Sequence, residues 1–392
     1  MSTDRALLGV TGHPVFHSLS PALFRILFRN SGIDGNYARI AATGARESLD
    51  LFAELGVAGM NVTAPFKESV AALLDDFSEE AATLGAINCV FREPKGRLFG
   101  ANTDPVGVSG SLKAAGVAIA GKSCLVIGAG GAGKSAAFAL AKAGASVEVV
   151  NRTVDRSDAV LRSLGCGFSG LDRLAERAAA ADIIVSTLMS ANLPRPESWF
   201  PEKAGRAGAS SLVVVDADYR DGLLYRYARA RSCLTVSGID WLVHQGLPAY
   251  ELFVGPLPPL DPEGIAAELV EIDDGRRKGR TGVALAGPSR TLNVEVARAL
   301  APSLGLPFAE MKGERDLNPG DGPEVAVLDE ELLADDELVH RLRDTHAIVW
   351  LHQSGKGRAD PHALAADLIL PCAARSPRAL AEWIHEEVAH HL

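Results

Sequence analysis

The sequence predicts an α/β protein of more than one domain, and three observations carry that prediction. Short apolar runs alternate with helical patterns along most of the chain. A glycine-rich turn, Gly128-Ala-Gly-Gly-Ala-Gly-Lys-Ser135, stands between a strand-like run and a helix-like one. The length of 392 residues exceeds one typical domain, so two or three are expected.

The first unit is expected over residues 1–104. Ala6-Leu-Leu-Gly-Val10, Asn36-Tyr-Ala-Arg-Ile40 and Gly59-Met-Asn-Val62 read as strands, with helices at 22–30 and 48–55 between them. The second unit, 105–237, holds the strand Lys122-Ser-Cys-Leu-Val-Ile127, the glycine turn, a helix at 136–143 and the strand Ser146-Val-Glu-Val-Val150. Further strands are expected at 182–186, 211–215 and 233–236. Residues 239–254 read as a long helix, in a segment, 238–272, that returns to the first unit. Asp273-Asp-Gly-Arg-Arg-Lys-Gly-Arg280 has the glycine and charge content of a linker. Beyond it, residues 281–392 read as a third, small α/β unit, with strands at 282–286 and 347–351 and helices at 293–304 and 376–388.

The glycine turn fits two phosphate-binding patterns at once, G-x-G-x-x-G for a dinucleotide and G-x-x-x-x-G-K-S for a nucleoside triphosphate. Both set backbone N–H groups and a helix N-terminus against a phosphate. The residues further on separate them. The second strand of the unit ends at Asn151-Arg-Thr153, where a Rossmann fold meets the adenosine ribose. An acidic residue there would hold the free hydroxyls of NAD. Asn151 and Arg152 supply donors and a positive charge, which suits the 2′-phosphate of NADP. The triphosphate reading needs a strand ending in a magnesium-holding Asp, for which Leu212-Val-Val-Val-Asp216 would have to serve. The sequence therefore favours a dinucleotide turn, with Lys134 an ordinary residue of the first helical turn.

Three groups of polar residues precede that turn. Ser18 and Ser20 are two apart, so in an extended segment both hydroxyls point the same way and can grip a polyol or carboxylate. On local grounds they serve equally as a cap for the helix that Pro21 opens. Thr63 shares strand parity with Asn61, and Lys67 opens a helix, where the helix dipole disfavours a positive charge. That cost points to a partner, although a surface lysine is the commoner outcome for such a segment. Asn88 and Asp104 end short apolar segments at an expected domain junction, where clefts form. Asp104 and Lys67 can form a pair that moves a proton to or from an alcohol while hydride leaves its carbon. An Asp that caps the helix ahead of Pro105 fits equally. His13, His17 and His244 make no ligand set with Cys or Asp, so no metal is expected.

Hydrophobic residues at 47% and a formal charge of −10 describe a soluble globular protein without the basic patch that nucleic acid or an anionic membrane would need. Cys89, Cys124, Cys166, Cys233 and Cys372 lack paired spacing and read as buried thiols of a cytosolic protein. The polar start is unlike a signal peptide, and no apolar run reaches transmembrane length. A cytoplasmic protein, monomeric or homodimeric, is the expectation.

Residues 6 to about 270 resemble the shikimate dehydrogenase family. The likeness rests on His17-Ser-Leu-Ser-Pro21, Asn61-Val-Thr-Ala-Pro-Phe-Lys67, Gly85-Ala-Ile-Asn88, Asn102-Thr-Asp104, Gly128-Ala-Gly-Gly-Ala132, Asn151-Arg-Thr153, and Gln245 with Ala249-Tyr-Glu-Leu-Phe-Val-Gly255. It implies NADP-dependent interconversion of 3-dehydroshikimate and shikimate, in aromatic amino acid biosynthesis. By the same resemblance Ser18 and Ser20 bind the substrate carboxylate, Thr63, Asn88 and Gln245 contact the ring and hydroxyls, and Tyr219 lies near the substrate. Lys67 and Asp104 form the catalytic pair. Gly128, Ala129, Gly130, Gly131, Ala132, Asn151, Arg152 and Thr153 hold the cofactor, with Gly238 and Trp241 near the nicotinamide. A quinate/shikimate dehydrogenase and a dinucleotide-binding regulatory protein without turnover are the alternatives. Some positions depart from the family pattern. Its Asn-Ala-Thr-Pro reads Val185-Ser-Thr-Leu188, the methionine beside the nicotinamide is Trp241, the stretch after Tyr219 is Arg220-Asp-Gly-Leu-Leu224, and the His-Asn of the first helix is Phe24-Arg25.

The tail, about 281–392, resembles a degenerate shikimate kinase, a small P-loop-kinase-like α/β domain. Val283-Ala-Leu-Ala-Gly287, the helix leading to Phe308, and Ile348-Val-Trp-Leu351 carry the likeness. In its loop, Gly287-Pro-Ser-Arg-Thr-Leu-Asn-Val294, the phosphate-binding Lys falls on Asn293 and the magnesium-binding hydroxyl on Val294. The acidic pair after the helix becomes Glu310 and Lys312. The resemblance thus implies a unit without kinase chemistry.

Overall fold

A computed structural model describes residues 6–93, 96–153, 159–202, 212–218, 222–279, 282–286, 290–304, 306, 308–310, 325–327, 346–352, 368–371 and 375–388. The first part of the chain runs β1 (Ala6–Gly12), α1 (Ser20–Ser31), β2 (Gly35–Ala41), α2 (Ala45–Glu54), β3 (Gly59–Val62), α3 (Lys67–Ala71), α4 (Glu79–Leu84), β4 (Cys89–Arg92) and β5 (Leu98–Ala101). β1 lies between β2 and β3, parallel to both, and is almost wholly buried, which is why it reads as an unbroken apolar run. β3, β4 and β5 then pair antiparallel, which carries Asn88 and Asp104 to one end of the sheet.

α5 (Asp104–Ala114) leads into the second part: β6 (Ser123–Ile127), α6 (Gly131–Lys142), β7 (Ser146–Val150), α7 (Ala159–Ser163), β8 (Gly167–Ser169), α8 (Leu174–Ala180), β9 (Ile183–Ser186), β10 (Val213–Asp216), α9 (Leu223–Arg229) and β11 (Leu234–Val236). Its strands are all parallel, in the order β11-β10-β9-β6-β7-β8. Counted along the chain this is the doubly wound order of a dinucleotide fold. The order reverses between β6 and β9, which opens a crevice at the carboxyl end of β6, where the glycine turn stands.

α10 (Gly238–Phe253) packs on α5 and crosses back to α1 and β3, as expected for a helical return. α11 (Pro262–Gly279) follows, then β12 (Gly282–Ala286), α12 (Arg290–Leu304), β13 (Phe308–Glu310), β14 (Val325–Val327), β15 (His346–His352), β16 (Leu368–Pro371) and α13 (Pro377–Val388).

Two expectations for this region are corrected. The segment read as a linker is helix as far as Gly279. Its lysine and arginines are good helix formers, and one interior glycine costs only about 1 kcal/mol. The tail is not a separate body either. β16 pairs in parallel with β2, Leu368 opposite Arg39 and Ile369 opposite Ile40, so the strands β13-β14-β12-β15-β16 continue the first sheet. The core is likewise continuous: Leu285, Leu300, Val349, Leu380 and Ile384 cluster with Leu8, Leu23, Leu27 and Tyr250. Without the tail, β2 would be an open edge with unpaired N–H and C=O groups. Composition marks soft segments but says nothing of which strand covers which edge.

Candidate active site

A cavity of about 170 Å3 lies where the carboxyl ends of β1 and β3 face the first turns of α6 and α10. Ser18, Ser20, Thr63, Lys67, Asn88, Asp104 and Gln245 line it, joined by Ala132, Gly238 and Trp241 from the dinucleotide side. Residues read from six separate segments of sequence thus meet in one space.

Lys67 is the first residue of α3 and Asp104 the first of α5. The lysine Nζ donates to Asp104 Oδ2, and both side chains are largely withdrawn from water. This ion pair is the partner that the unfavourable helix position of Lys67 called for. Asn88 turns Nδ2 toward Asp104 Oδ1 at 2.9 Å, Thr103 Oγ1 at 2.9 Å and Gln245 Oε1 at 3.1 Å. Its own Oδ1 accepts from the Thr103 amide at 2.8 Å. Both carboxylate oxygens of Asp104 are therefore occupied by donors, which fixes its plane. The N-cap of α5 is Thr103, without a side-chain cap bond, so Asp104 is not spent on capping.

Ser18 and Ser20 are buried, with the Ser18 hydroxyl donating to that of Ser20 at 3.1 Å. The cap position of α1 is Leu19, so neither serine takes it. Arg39, buried in β2, donates to the Ser18 carbonyl from Nε at 3.1 Å and from Nη2 at 2.6 Å.

Sequence reading quoted Asn61 for its parity with Thr63 but gave it no role. Asn61 lines the cavity, donates to the Asn88 carbonyl at 3.0 Å and accepts from the Tyr37 hydroxyl at 2.7 Å. Cys89 lies just behind, in contact with Asn61, Asn88 and Thr103. Burial pushes its thiol up to about 12, so it stays protonated and polar without being a nucleophile. Tyr219 lies outside the described residues, as do Cys372 and Lys312.

On the dinucleotide side, Gly128 follows β6 with φ 108°, a backbone that side chains rarely adopt. A Cβ on Gly133 would lie 2.1 Å from the Gly128 carbonyl oxygen, so the helix approaches the turn as closely as backbone allows. Ala129 and Gly130 follow, Gly130 is the N-cap, and α6 begins at Gly131, whose Cα faces the Lys67 stem. The Gly128 amide donates to the Val150 carbonyl at 2.9 Å, which places Asn151, Arg152 and Thr153 beside the turn. Arg152 and Thr153 are exposed, and Asn151 Nδ2 donates to the Thr153 carbonyl at 3.2 Å. The set fits a dinucleotide phosphate: a glycine cradle, a helix N-terminus and a cation at the ribose end.

Four further points bear on the alternatives. Lys134 is not an ordinary first-turn residue. It is buried and pairs with Glu68 of α3 at 3.0 Å, tying the two parts together beside the site. Asp216, the aspartate a triphosphate reading required, accepts from the amides of Asp218 at 3.2 Å and Tyr225 at 3.0 Å. Burial raises its carboxyl to about 6. Val185 packs in the sheet core, while Thr187 faces Gly128 and donates to the Ile127 carbonyl at 3.0 Å, so the Val185 departure leaves the turn itself intact. Trp241 is buried against α5, where a Cβ on Gly107 would meet its ring at 2.4 Å.

Among the described residues no group of His, Cys, Asp and Glu is placed to hold a metal, and no helix is long and apolar enough to cross a membrane.

Comparison with known proteins agrees with this geometry. Residues 10–90 match the shikimate dehydrogenase substrate binding domain, and residues 112–217 match the shikimate/quinate 5-dehydrogenase domain. The NADP(+) shikimate dehydrogenase of Halorubrum lacusprofundi is 38% identical over 266 residues, which are 64% of this chain and 94% of that one. The corresponding enzyme of Rubrobacter xylanophilus is 39% identical over 272 residues, 65% of this chain and 93% of that one. Among solved structures, shikimate 5-dehydrogenase from Thermus thermophilus in complex with NADP(H) and shikimate matches with a TM-score of 0.58 at 34% identity, over 68% of this chain and 99% of that one. With nearly the whole of such relatives matched by about two thirds of this chain, the chain belongs to the shikimate dehydrogenase family.

Proposed function

We infer that this protein is an NADP-dependent shikimate dehydrogenase, reversibly reducing 3-dehydroshikimate to shikimate. The observation that carries the reading is the Lys67–Asp104 pair, set in one cavity with Ser18, Ser20 and the glycine turn. NADPH, when bound, supplies the hydride that reaches the ketone carbon. Lys67 Nζ holds the proton that the ketone oxygen takes up, and accepts it back in the oxidative direction. Asp104, oriented by Asn88, holds the Lys67 Nζ aimed into the cavity. Ser18 and Ser20 receive the substrate carboxylate, while Thr63, Asn88 and Gln245 meet its ring hydroxyls. Tyr219 completes that set.

Gly128, Ala129, Gly130, Gly131 and Ala132 receive the pyrophosphate at the start of α6, and Gly238 with Trp241 flank the nicotinamide. Asn151, Arg152 and Thr153 take the ribose end, with Arg152 setting the preference for the 2′-phosphate. The protein acts as a cytoplasmic monomer or homodimer on a small molecule, without nucleic acid or membrane partners.

The tail carries the second reading, a relic of a shikimate-kinase-like unit. Its support is a first strand, β12, central among five parallel strands and followed by α12, as in a P-loop unit. Asn293, where that unit would keep its lysine, is buried and neutral. The loop 287–289 lies outside the described residues.

A steady-state assay of shikimate oxidation tests the whole reading, with NADP and NAD compared and quinate as competitor. Turnover of shikimate with a preference for NADP is expected, and ATP is expected to give no shikimate phosphate. No turnover of either substrate would overturn the assignment, preference for NAD would overturn the role of Arg152, and phosphorylation would overturn the relic reading.

A further inference from the structure

The tail touches the substrate loop directly. α13 carries Glu387, 2% exposed, whose Oε2 accepts from the Val15 amide at 2.8 Å and the Phe16 amide at 2.9 Å. Its other oxygen faces His13 Nδ1 at 3.6 Å, and the Trp383 ring stands edge-on to the His13 ring at 6.3 Å between centroids. Burial pushes the carboxyl up, while the two amides and His13 pull it down. Burying a carboxylate is costly, and the cost recurs here at a segment of backbone that leads straight to the site.

From Val15 and Phe16 the chain turns at once into the serines. The Ser18 amide donates to the Val15 carbonyl at 3.0 Å, and the Ser18 hydroxyl reaches Ser20. The Ser18 carbonyl is gripped by Arg39, whose guanidinium also lies 5.3 Å from the centre of the Phe16 ring. Arg39 itself sits on β2 opposite Leu368 of β16. The loop is thus braced at one end by α13 and at the other by a strand that the tail covers.

We propose that Glu387 is a positioning residue for the reaction: by holding the Val15 and Phe16 amides it sets Ser18 and Ser20 for the substrate carboxylate, and so makes the tail part of the substrate site. The proposal rests on the dehydrogenase reading and extends it. Because a single oxygen accepts both amides, a glutamine can keep both bonds, whereas alanine loses them and aspartate withdraws the oxygen by one methylene.

The test uses the full-length chain in three variants, E387A, E387D and E387Q, with KM for shikimate, KM for NADP, kcat and amide hydrogen exchange of Val15 and Phe16 measured on each. E387A is expected to raise KM for shikimate about tenfold, the scale of two lost hydrogen bonds, with KM for NADP and kcat within about twofold of wild type. E387D is expected to raise it at least about threefold on the same grounds, and it carries the test should E387A fail to fold. E387Q is expected to stay within about twofold of wild type, and faster exchange at Val15 and Phe16 should track the KM changes. An unchanged KM and exchange rate in both E387A and E387D would overturn the proposal. So would an E387Q as impaired as the other two, or equal losses in shikimate and NADP parameters. A wild type inert toward shikimate would instead sink the dehydrogenase reading, and the exchange rates would still report whether Glu387 braces the loop.

Discussion

A lysine at the start of a helix faces the positive end of the helix dipole, and Lys67 tolerates that place because Asp104 lies against it. The conflict is visible in sequence, whereas its resolution requires two segments to meet. Asp216 shows the opposite case, a carboxylate that sequence offers as a metal ligand and that structure spends on backbone amides. Its carboxyl is raised from 3.8 to about 6 by burial. The folded state therefore holds more protons than the unfolded chain in that window. The contribution of Asp216 to stability is full below the unfolded value and is lost as pH rises through about 6. Carboxyl NMR should show one aspartate titrating near 6, absent in Asp216→Ala, and an ordinary aspartate value there would contradict the burial argument.

At the scale of the element, the strand–turn–helix around Gly128 was legible because each glycine has its own steric reason. Gly133→Ala would drive a methyl into the Gly128 carbonyl oxygen, at 2.1 Å before any adjustment. The helix must then back away from the turn, at a cost of about 1–3 kcal/mol by analogy with overpacked cores. The expected result is an NADP KM raised by about tenfold or more with the shikimate KM little changed, since 1.4 kcal/mol is a factor of ten. An unchanged NADP KM would place the cofactor elsewhere. Strands β1, β2, β3, β6 and β7 were readable from buried apolar runs. β8 and β14, three residues each, carry too short a pattern to announce themselves. The charged stretch after residue 272 misled because linkers and exposed helices share a composition. Within the site, Thr63 and Asn88 stood out by parity and by position at the domain junction, while their roles, and Gln245 altogether, came from family likeness. Asn61 and Glu387 were missed, the first because parity alone assigns no role, the second because its partners are 372 residues away in sequence.

Across the whole molecule, two features join parts that sequence separates. Lys134 and Glu68 tie the dinucleotide unit to the catalytic helix α3, and the tail completes the first sheet. Arg375 adds a link to Glu47 of α2 at 2.7 Å. Burial pushes the Glu47 carboxyl up, but the Thr43 amide, the Arg375 guanidinium and the Thr43 hydroxyl outweigh it and leave it below the ordinary range. A chain ending at residue 279 would bare the edge of β2 and the shared core face of Leu8, Leu23 and Leu27. It is expected to aggregate or to unfold at a markedly lower temperature than the full chain, by thermal unfolding followed with circular dichroism. An equal unfolding temperature would show the tail to be an independent body.

Proton transfer by Lys67, with Asp104 held against it, is the step on which turnover depends. The most direct measurement is the kcat of shikimate oxidation with NADP, compared between wild type and Lys67→Ala, alongside the dissociation constant for shikimate. The variant is expected to show a kcat lower by about 10²–10⁴-fold, the usual weight of a general acid/base, with shikimate binding largely kept. A variant that turns over as fast as wild type would contradict it.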